Sequence, residues 1–245
     1  MKKTRIAVIG YGGQGKWHCS QLLKSDVAEL AGTFDIDPEK QKQAHDAGIF
    51  TYDSFEAVLA DPTVEAVTVV TPNNYHKDLV IRALQAGKNV VCEKPVETSV
   101  AAFDEMADAA AKSGKVFTVH QNRRWDVDFL AMKSIAQSGE IGDLLNIESR
   151  VHGSRGIPSD WRCHKQYGGG MILDWGVHMI DQLLQITGKD NRIRRVWCET
   201  THYTNSEVDD GFNLRLFFEN GAKACVELGT YNFLALPRFY MQCKQ

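Results

Sequence analysis

The chain has 245 residues, of which 43% are hydrophobic and 24% charged, and its net charge at pH 7 is −3. This length suggests one large domain or two moderate ones. The balanced charge gives no basic surface of the kind that binds nucleic acid or an anionic membrane. No apolar run approaches the roughly 20 residues that span a bilayer. Six scattered cysteines are typical of reduced thiols in a cytoplasmic protein, and Cys163-His164 lacks further ligands at metal-site spacing, so no metal site is predicted.

The N-terminal residues predict a nucleotide-binding unit. An apolar strand over residues 4–9 runs into Gly10-Tyr11-Gly12-Gly13-Gln14-Gly15, a helical pattern follows, and a second strand (Ala28–Phe34) ends at Asp35. Strand, glycine turn, helix, strand and acid form the dinucleotide fingerprint. We expect the glycine turn and the helix start to bind the pyrophosphate. Asp35 would bind the ribose hydroxyls and favours NAD, because its charge would repel the 2′-phosphate of NADP; a nearby arginine could override this, so NADP stays possible.

The alternation of helices and strands continues to about Asn122. Helices are predicted after Asp37, Ser54, Asn74 and Ser99, and strands at Val64–Val70, Asn89–Cys92 and Lys115–His120. Helices between apolar strands indicate a parallel, doubly wound sheet, whose ligands bind beyond the carboxyl ends of the strands. The segments at these ends are Asp35, Thr71-Pro72-Asn73, Glu93-Lys94-Pro95 and Gln121-Asn122.

The second half has a different pattern. A helix (Asp126–Gln137) and a strand (Leu144–His152) lead through a polar loop with Trp161-Arg162 to a further helix, and then to strands at Val196–Tyr203, Phe212–Phe218, Ala222–Leu228 and Phe239–Cys243. Short turns between them predict an antiparallel sheet with a helix packed on it. The fold class is therefore α/β: a Rossmann domain (1–122) followed by an α+β domain (123–245). The last strand has no closing helix after it, so we expect the C-terminal part of this domain to be missing from the sequence.

One helix in the second half carries a candidate acid–base pair. Gly168-Gly169-Gly170 runs into a helical segment in which Asp174 and His178 are four residues apart and share one face. An imidazole beside a carboxylate is a plausible proton acceptor at neutral pH. Asp181 and Gln185 continue the same stripe, so the segment alone is equally compatible with a solvent-exposed polar face.

These motifs together resemble the glucose–fructose oxidoreductase / inositol dehydrogenase / MocA family of nicotinamide-dependent sugar oxidoreductases. The resemblance covers nearly the whole chain, in the family's order. It rests on Gly10-x-Gly12-x-x-Gly15, Thr71-Pro72-Asn73 with His76, Ala86-Gly87-Lys88, Glu93-Lys94-Pro95, Asn122-Arg123-Arg124, Gly139-x-Ile141-Gly142, Asp160-Trp161-Arg162, and Gly168-Gly169-Gly170 with Asp174-x-x-x-His178. Glu93-Lys94-Pro95 and the Asp174/His178 pair are the most specific of these.

The resemblance implies roles for these residues. Lys94 would hydrogen-bond the reacting hydroxyl, Asp174 would orient the substrate, and His178 would exchange the proton as hydride moves to or from nicotinamide. The cofactor site would include Thr71, Pro72, Asn73, His76, Glu93, Lys94, Gln121, Trp161 and Arg162, and the Lys94–Pro95 bond could be cis. The resemblance also implies that the sheet of the second domain is open and mostly antiparallel. This sheet would form the floor of the substrate site and an interface in a homo-oligomer, a dimer or tetramer.

We therefore expect a cytoplasmic NAD(P)-dependent oxidoreductase that acts on a secondary hydroxyl, or its ketone, of a cyclic polyol or sugar. Two alternatives use the same sequence differently: transient oxidation with retained NAD that enables elimination or glycoside cleavage, and a non-catalytic dinucleotide-binding regulator. Several residues also have simpler interpretations. His76 favours a structural or cofactor-edge role over catalysis, His120 either touches a ligand or is a packed histidine, Trp161 could cover a hinge, and Arg123 and Arg124 are expected to form interdomain salt bridges.

Overall fold

A computed structural model describes residues 2–188 and 190–245 of the chain. The chain divides into two compact units between His120 and Gln121, two residues before the predicted domain boundary. Among the described residues, no helix has the length and apolar character needed to cross a bilayer.

The first unit is a parallel five-stranded sheet with the order β2-β1-β3-β4-β5. Its strands are Thr4–Ile9 (β1), Ala28–Phe34 (β2), Ala66–Val69 (β3), Asn89–Cys92 (β4) and Phe117–Val119 (β5). Its helices are Gly13–Leu22 (α1), Pro38–Asp46 (α2), Phe55–Ala60 (α3), His76–Gln85 (α4) and Val100–Ser113 (α5). The Rossmann sheet predicted from the alternating pattern is thus confirmed.

Helices cover both faces of this sheet. Alternate residues of β1 serve different cores: Ala7 and Ile9 pack with residues of α3, α4 and α5, whereas Val8 packs with residues of α1 and α2. This follows from the two-residue period of a strand, and burial on both faces explains why the strands are continuously apolar. The order also makes β1 and β3 the switch point of the sheet, because the chain crosses to the other side of β1 after β2. Ligands of such sheets bind at this point, beyond the carboxyl ends of the strands.

The second unit is a five-stranded sheet with two helices. Its strands are Leu144–His152 (β6), Ile193–Thr201 (β7), Gly211–Phe218 (β8), Lys223–Gly229 (β9) and Phe239–Cys243 (β10), and its helices are Val127–Ser138 (α6) and Val177–Thr187 (α7). The order is β10-β6-β9-β8-β7, and the pairings are antiparallel except for β6 with β9, which is parallel. The predicted sheet is therefore confirmed as mostly antiparallel, with one parallel pair that makes it mixed.

One face of this sheet is covered and the other is open. Phe212, Leu214, Leu216 and Phe218 alternate along β8 and are buried in a core that includes residues of α6 and α7. The alternate positions of β8 and its neighbours carry a mixed polar and aromatic surface: the Arg195 guanidinium lies 4.0 Å from the centre of the Phe217 ring, and Arg215 lies 5.9 Å from that of Trp197. Trp197 is 45% exposed.

The expected oligomer interface on this open face gives a test. Trp197→Lys adds a third positive charge beside Arg195 and Arg215, so two copies that met through this face would repel each other, and we expect the oligomer to dissociate. Light scattering after size-exclusion chromatography measures the mass. Trp125→Lys, at another exposed tryptophan, is the matched control. An unchanged mass for Trp197→Lys would exclude this face as the interface.

Candidate active site

The glycine turn after β1 leaves room for a phosphate in front of α1. Gly10 has a φ of +101°, and a Cβ there would lie 2.6 Å from the Val70 carbonyl oxygen, while a Cβ at Gly15 would collide with the backbone of Gly10. At Gly12 and Gly13, by contrast, a Cβ would meet no atom within 4 Å. The helix begins at Gly13 with no side-chain cap at Gly12, so its first N–H groups face this open space. Both features fit a pyrophosphate.

Asp35 lies at the end of β2 and is tied to the glycine turn. Its Oδ2 accepts a hydrogen bond from the Tyr11 backbone N–H at 2.6 Å, and its Oδ1 accepts one from the Asp37 N–H at 2.9 Å. Each carboxylate oxygen has two acceptor sites, so these bonds leave capacity for ribose hydroxyls. The ribose-binding role of Asp35 stays a prediction.

His76, which is fully buried, lies between the turns after β3 and β4. Its Nε2 lies 2.9 Å from the Thr71 carbonyl oxygen and its Nδ1 lies 3.1 Å from that of Pro95. Burial lowers the pKa of His76, so the ring is neutral at pH 7 and has a single N–H to donate to one of these carbonyls. This geometry favours a structural role. Beside it, the Thr71 hydroxyl is buried with no hydrogen-bond partner among the described residues. A buried hydroxyl of this kind fits a site that binds a polar ligand.

The carboxylate of Glu93, directly after β4, is the acceptor for several groups. Its Oε1 lies 2.7 Å from His18 Nε2, 2.8 Å from His120 Nδ1 and 3.3 Å from the Gln14 amide nitrogen. Its Oε2 accepts the backbone N–H of Lys94 at 3.2 Å. Burial alone would raise the pKa of Glu93, but the bonds from His120 and His18 outweigh it and hold that pKa well below its usual range. Glu93 is therefore an ionised carboxylate that anchors the turn on which Lys94 stands.

The Lys94–Pro95 bond is cis, as the resemblance implied. Asn73, at the neighbouring strand end, is buried and begins a short 3₁₀ turn directly after Pro72. In the first unit, the predicted residues Gly10, Asp35, Thr71, Asn73 and Lys94 thus all follow parallel strands at one edge of the sheet.

The segment after the three glycines starts differently from the predicted α-helix. Ile172–Gly176 forms a π-helical turn, and α7 follows it directly. Asp174 lies in the π turn and His178 in the first turn of α7. The Oδ2 atom of Asp209 accepts the Ile172 N–H at 2.9 Å, so a carboxylate already caps the start of this helix. Such π turns occur frequently at functional sites.

Asp174 and His178 are buried, with 6% and 5% of their surfaces exposed. The interpretation of this stripe as a solvent-exposed face is therefore wrong for both residues. Asp174 Oδ2 accepts a hydrogen bond from Arg162 Nε at 2.8 Å, and Arg162 also pairs with Asp160 at 2.8 Å. The Arg162 guanidinium lies 4.5 Å from the centre of the Trp161 ring. Trp161 and Arg162 are thus grouped with Asp174 inside the second unit.

The tautomer of His178 follows from its contact with Gln121. The Nδ1–H of His178 donates to the Oε1 of Gln121 at 2.9 Å. A neutral imidazole has one N–H, so this bond leaves the lone pair on Nε2. A buried imidazole with this tautomer is suited to accept a proton through Nε2.

Comparison with known proteins places both units in one family. Residues 4–121 match the family model described as "Oxidoreductase family, NAD-binding Rossmann fold". Residues 129–244 match the family model described as "GFO/IDH/MocA C-terminal domain". The chain belongs to the GFO/IDH/MocA family of oxidoreductases. Its first unit is the family's NAD-binding Rossmann fold.

Individual relatives support the same assignment. The crystal structure of an NAD-binding protein from Listeria innocua has a TM-score of 0.94 and 48% identity, over 99% of this chain and 71% of that one. A myo-inositol 2-dehydrogenase of Thermotoga maritima is 29% identical over 91% of this chain and 67% of its own length. Two uncharacterized oxidoreductases of Schizosaccharomyces pombe are 34% and 31% identical over 69% and 74% of this chain. The match spans only 47% and 49% of these two proteins.

The expected interdomain salt bridges of Arg123 and Arg124 are wrong. Arg124 pairs with Asp181 at 2.6 Å, and Arg123 pairs with Asp126 at 3.3 Å, so both ion pairs lie inside the second unit. The Arg123 guanidinium also lies 4.0 Å from the centre of the Trp175 ring. These arginines brace the 3₁₀ turn after Gln121 against α7.

Three contributions to the site were missed from the sequence. His18 was not singled out, although it follows Gly15 by three residues on α1, a spacing that places both on one face of the helix. The pairing of Gln121 with His178 joins residues 57 positions apart and has no local signal. The cap by Asp209 likewise reaches 37 residues back along the chain.

The buried His76 predicts a pH dependence of stability. Because its pKa is lowered on folding, the unfolded state binds more protons near pH 6, and the free energy of unfolding should fall as the pH drops from 7 to 5 through the unfolded pKa of about 6.5. We expect His76→Asn to be less stable but to show a shallower fall. Urea unfolding at several pH values measures the free energy of unfolding of each variant. His45→Asn, at an exposed histidine, is the control. Equal slopes for wild type and His76→Asn would contradict the prediction.

Proposed function

We propose that the protein catalyses NAD-dependent oxidation of a secondary hydroxyl of a cyclic polyol or sugar, or the reverse reduction of its ketone. The observation that carries this proposal is the buried His178, whose tautomer is set by Gln121. Oxidation of an alcohol removes a hydroxyl proton while hydride leaves the same carbon. His178 Nε2 accepts that proton as general base.

Lys94 and Asp174 assist this transfer. The Lys94 ammonium donates a hydrogen bond to the reacting oxygen, where negative charge develops in the transition state. Asp174, whose Oδ2 is bound by Arg162, orients the substrate through its carboxylate. The nicotinamide, when bound, accepts or supplies the hydride. The glycine turn, Asp35, Thr71 and Asn73 hold the cofactor, and Trp161 and Arg162 border it.

The substrate class is supported by the chemistry of a ring hydroxyl and by the relatives. One relative named above is a myo-inositol 2-dehydrogenase. The roles proposed for His178, Asp174 and Lys94 require a substrate carbon that carries both a hydrogen and a hydroxyl. Inositols and pyranoses have such carbons at several positions. A screen of inositols, hexoses and glycosides with NAD and NADP on the full-length protein tests the class by NADH or NADPH formation. Turnover of a glycoside without net NADH would instead indicate transient oxidation with retained NAD.

Replacement of His178 tests the assignment of the base. We expect His178→Gln to lower kcat by about 10²–10⁴-fold, the usual contribution of general base catalysis, while NAD still binds. His164→Gln, on an exposed loop residue of the same unit, should keep wild-type activity. Steady-state kinetics measure kcat, and NAD titration measures cofactor binding, so a loss of catalysis is separated from a loss of binding. If His178→Gln retained full kcat, His178 would not be the base, and if His178→Gln lost turnover but kept the protein's cellular effect, a regulatory protein would be indicated.

Asp35 predicts the choice of cofactor. Its carboxylate would repel the 2′-phosphate of NADP, so the wild type should bind NAD more tightly. Asp35→Ser should weaken NAD binding and bring the dissociation constants for NAD and NADP closer together. Fluorescence titration with NADH and NADPH measures both constants, and Asp37→Ser, two residues later, is the control. Tighter binding of NADP by the wild type would refute this preference.

A further inference from the structure

Three potential metal ligands converge in the first unit. His18 comes from α1, Glu93 from the end of β4 and His120 from the end of β5. Their donor atoms all lie within 4.8 Å of one another, the only such group of His, Cys, Asp and Glu side chains among the described residues. His18 and Glu93 are buried, and His120 is partly exposed.

We propose that His18, Glu93 and His120 bind a divalent metal ion of the Zn²⁺ type, through His18 Nε2, His120 Nδ1 and Glu93 Oε1. Two imidazole nitrogens and one carboxylate oxygen are a donor set that Zn²⁺ uses in proteins, with water as the fourth ligand. The sequence predicted no metal site because these residues lie 75 and 27 positions apart and form no motif.

The spacing of the donors is close to what an ion needs. Bonds of about 2.0–2.2 Å in a tetrahedron place neighbouring donor atoms about 3.3 Å apart. Glu93 Oε1 lies 2.7 Å from His18 Nε2 and 2.8 Å from His120 Nδ1, because hydrogen bonds join them, and all three donor atoms lie within 4.8 Å of one another. To bind an ion, the carboxylate oxygen would move by about half an ångström away from both rings, and the rings would turn to bring their two nitrogens to the tetrahedral spacing. Each imidazole then carries its proton on its other nitrogen.

The charges favour a cation at this point. Glu93 is a buried, ionised carboxylate, and a buried charge is stabilised by a partner of opposite sign or by a metal. The ring nitrogens of His18 and His120 each supply one hydrogen bond to this carboxylate. An ion on Oε1 would neutralise the carboxylate directly, and the Gln14 amide at 3.3 Å would then be free to turn its carbonyl oxygen to the same point.

The ion has a path to the site and a consequence there. The side chain of His120 is 24% exposed, and the Trp17 ring, itself partly exposed, lies 5.8 Å from that of His120. Solvent thus reaches the cluster from this side and can supply the fourth ligand. Because Glu93 Oε2 accepts the Lys94 N–H, an ion on Oε1 would also hold the turn that carries Lys94. The ion is therefore assigned a positioning role, apart from hydride transfer.

Metal titration of the chelator-treated, untagged full-length protein tests the proposal. Calorimetry with Zn²⁺ should show one ion per chain, and Co²⁺ should give the visible absorption of a tetrahedral site. His120→Gln keeps an N–H that can bond Glu93 but removes the metal ligand. We expect it to lower Zn²⁺ affinity by more than about 100-fold, since even loss of an outer partner costs 10–100-fold. His18→Gln should behave alike, and His45→Gln should bind as wild type does.

Each outcome decides the proposal. Zn²⁺ should also raise the melting temperature of wild type and His45→Gln, but not that of His120→Gln. No saturable binding at one ion per chain, or wild-type affinity in a folded His120→Gln, would leave the cluster as a hydrogen-bonded triad and overturn the proposal. Far-ultraviolet circular dichroism checks that each variant folds. NADH formation with substrate is scored separately, so hydride transfer can stand or fall independently of the metal.

Discussion

The buried negative charge of Glu93 is the constraint on which the first unit's site depends. Its two oxygens join α1, the end of β4 and the end of β5, because His18, His120 and the Lys94 N–H all converge on them. Removing either histidine would take one hydrogen bond from this buried charge and so destabilise the turn. In the Glu93-Lys94-Pro95 motif, the glutamate therefore fixes the geometry of the turn that carries Lys94.

The second unit also buries a carboxylate, but a different group stabilises it there. Asp174 is buried beside the permanently charged Arg162, so its carboxylate has a counterion. His178 instead bonds the neutral amide of Gln121. A carboxylate in that position would favour the imidazolium and weaken the ring as a proton acceptor. The amide of Gln121 sets the tautomer of His178 without adding a charge beside the ring.

Local patterns were enough to predict the Rossmann sheet, its glycine turn and the acid at the end of β2. Each of these depends on residues close in sequence: apolar runs, glycines and helix caps such as Ser54 and Ser99, both of which accept the expected N–H bonds. The π turn at Ile172–Gly176 was not predictable in this way, because its start is capped by Asp209 from a later loop. The parallel pairing of β6 with β9 and the Arg124–Asp181 ion pair likewise depend on which distant segments become neighbours.

The contrast between local patterns and contacts of distant residues also explains why the type of reaction is easier to infer than the substrate. The proposed base and hydroxyl-binding cation, together with the NAD-binding Rossmann fold, require only a secondary alcohol as substrate, and inositols and pyranoses both contain one. Discrimination between rings comes from side chains that bond the remaining hydroxyls, where a site built for one hydroxyl can reject an analogue that lacks it by about 10⁴–10⁵-fold. Such contacts can change without any change in the roles proposed for Lys94, Asp174 and His178. A family can therefore retain one proton-transfer arrangement and diverge in the sugars that it accepts.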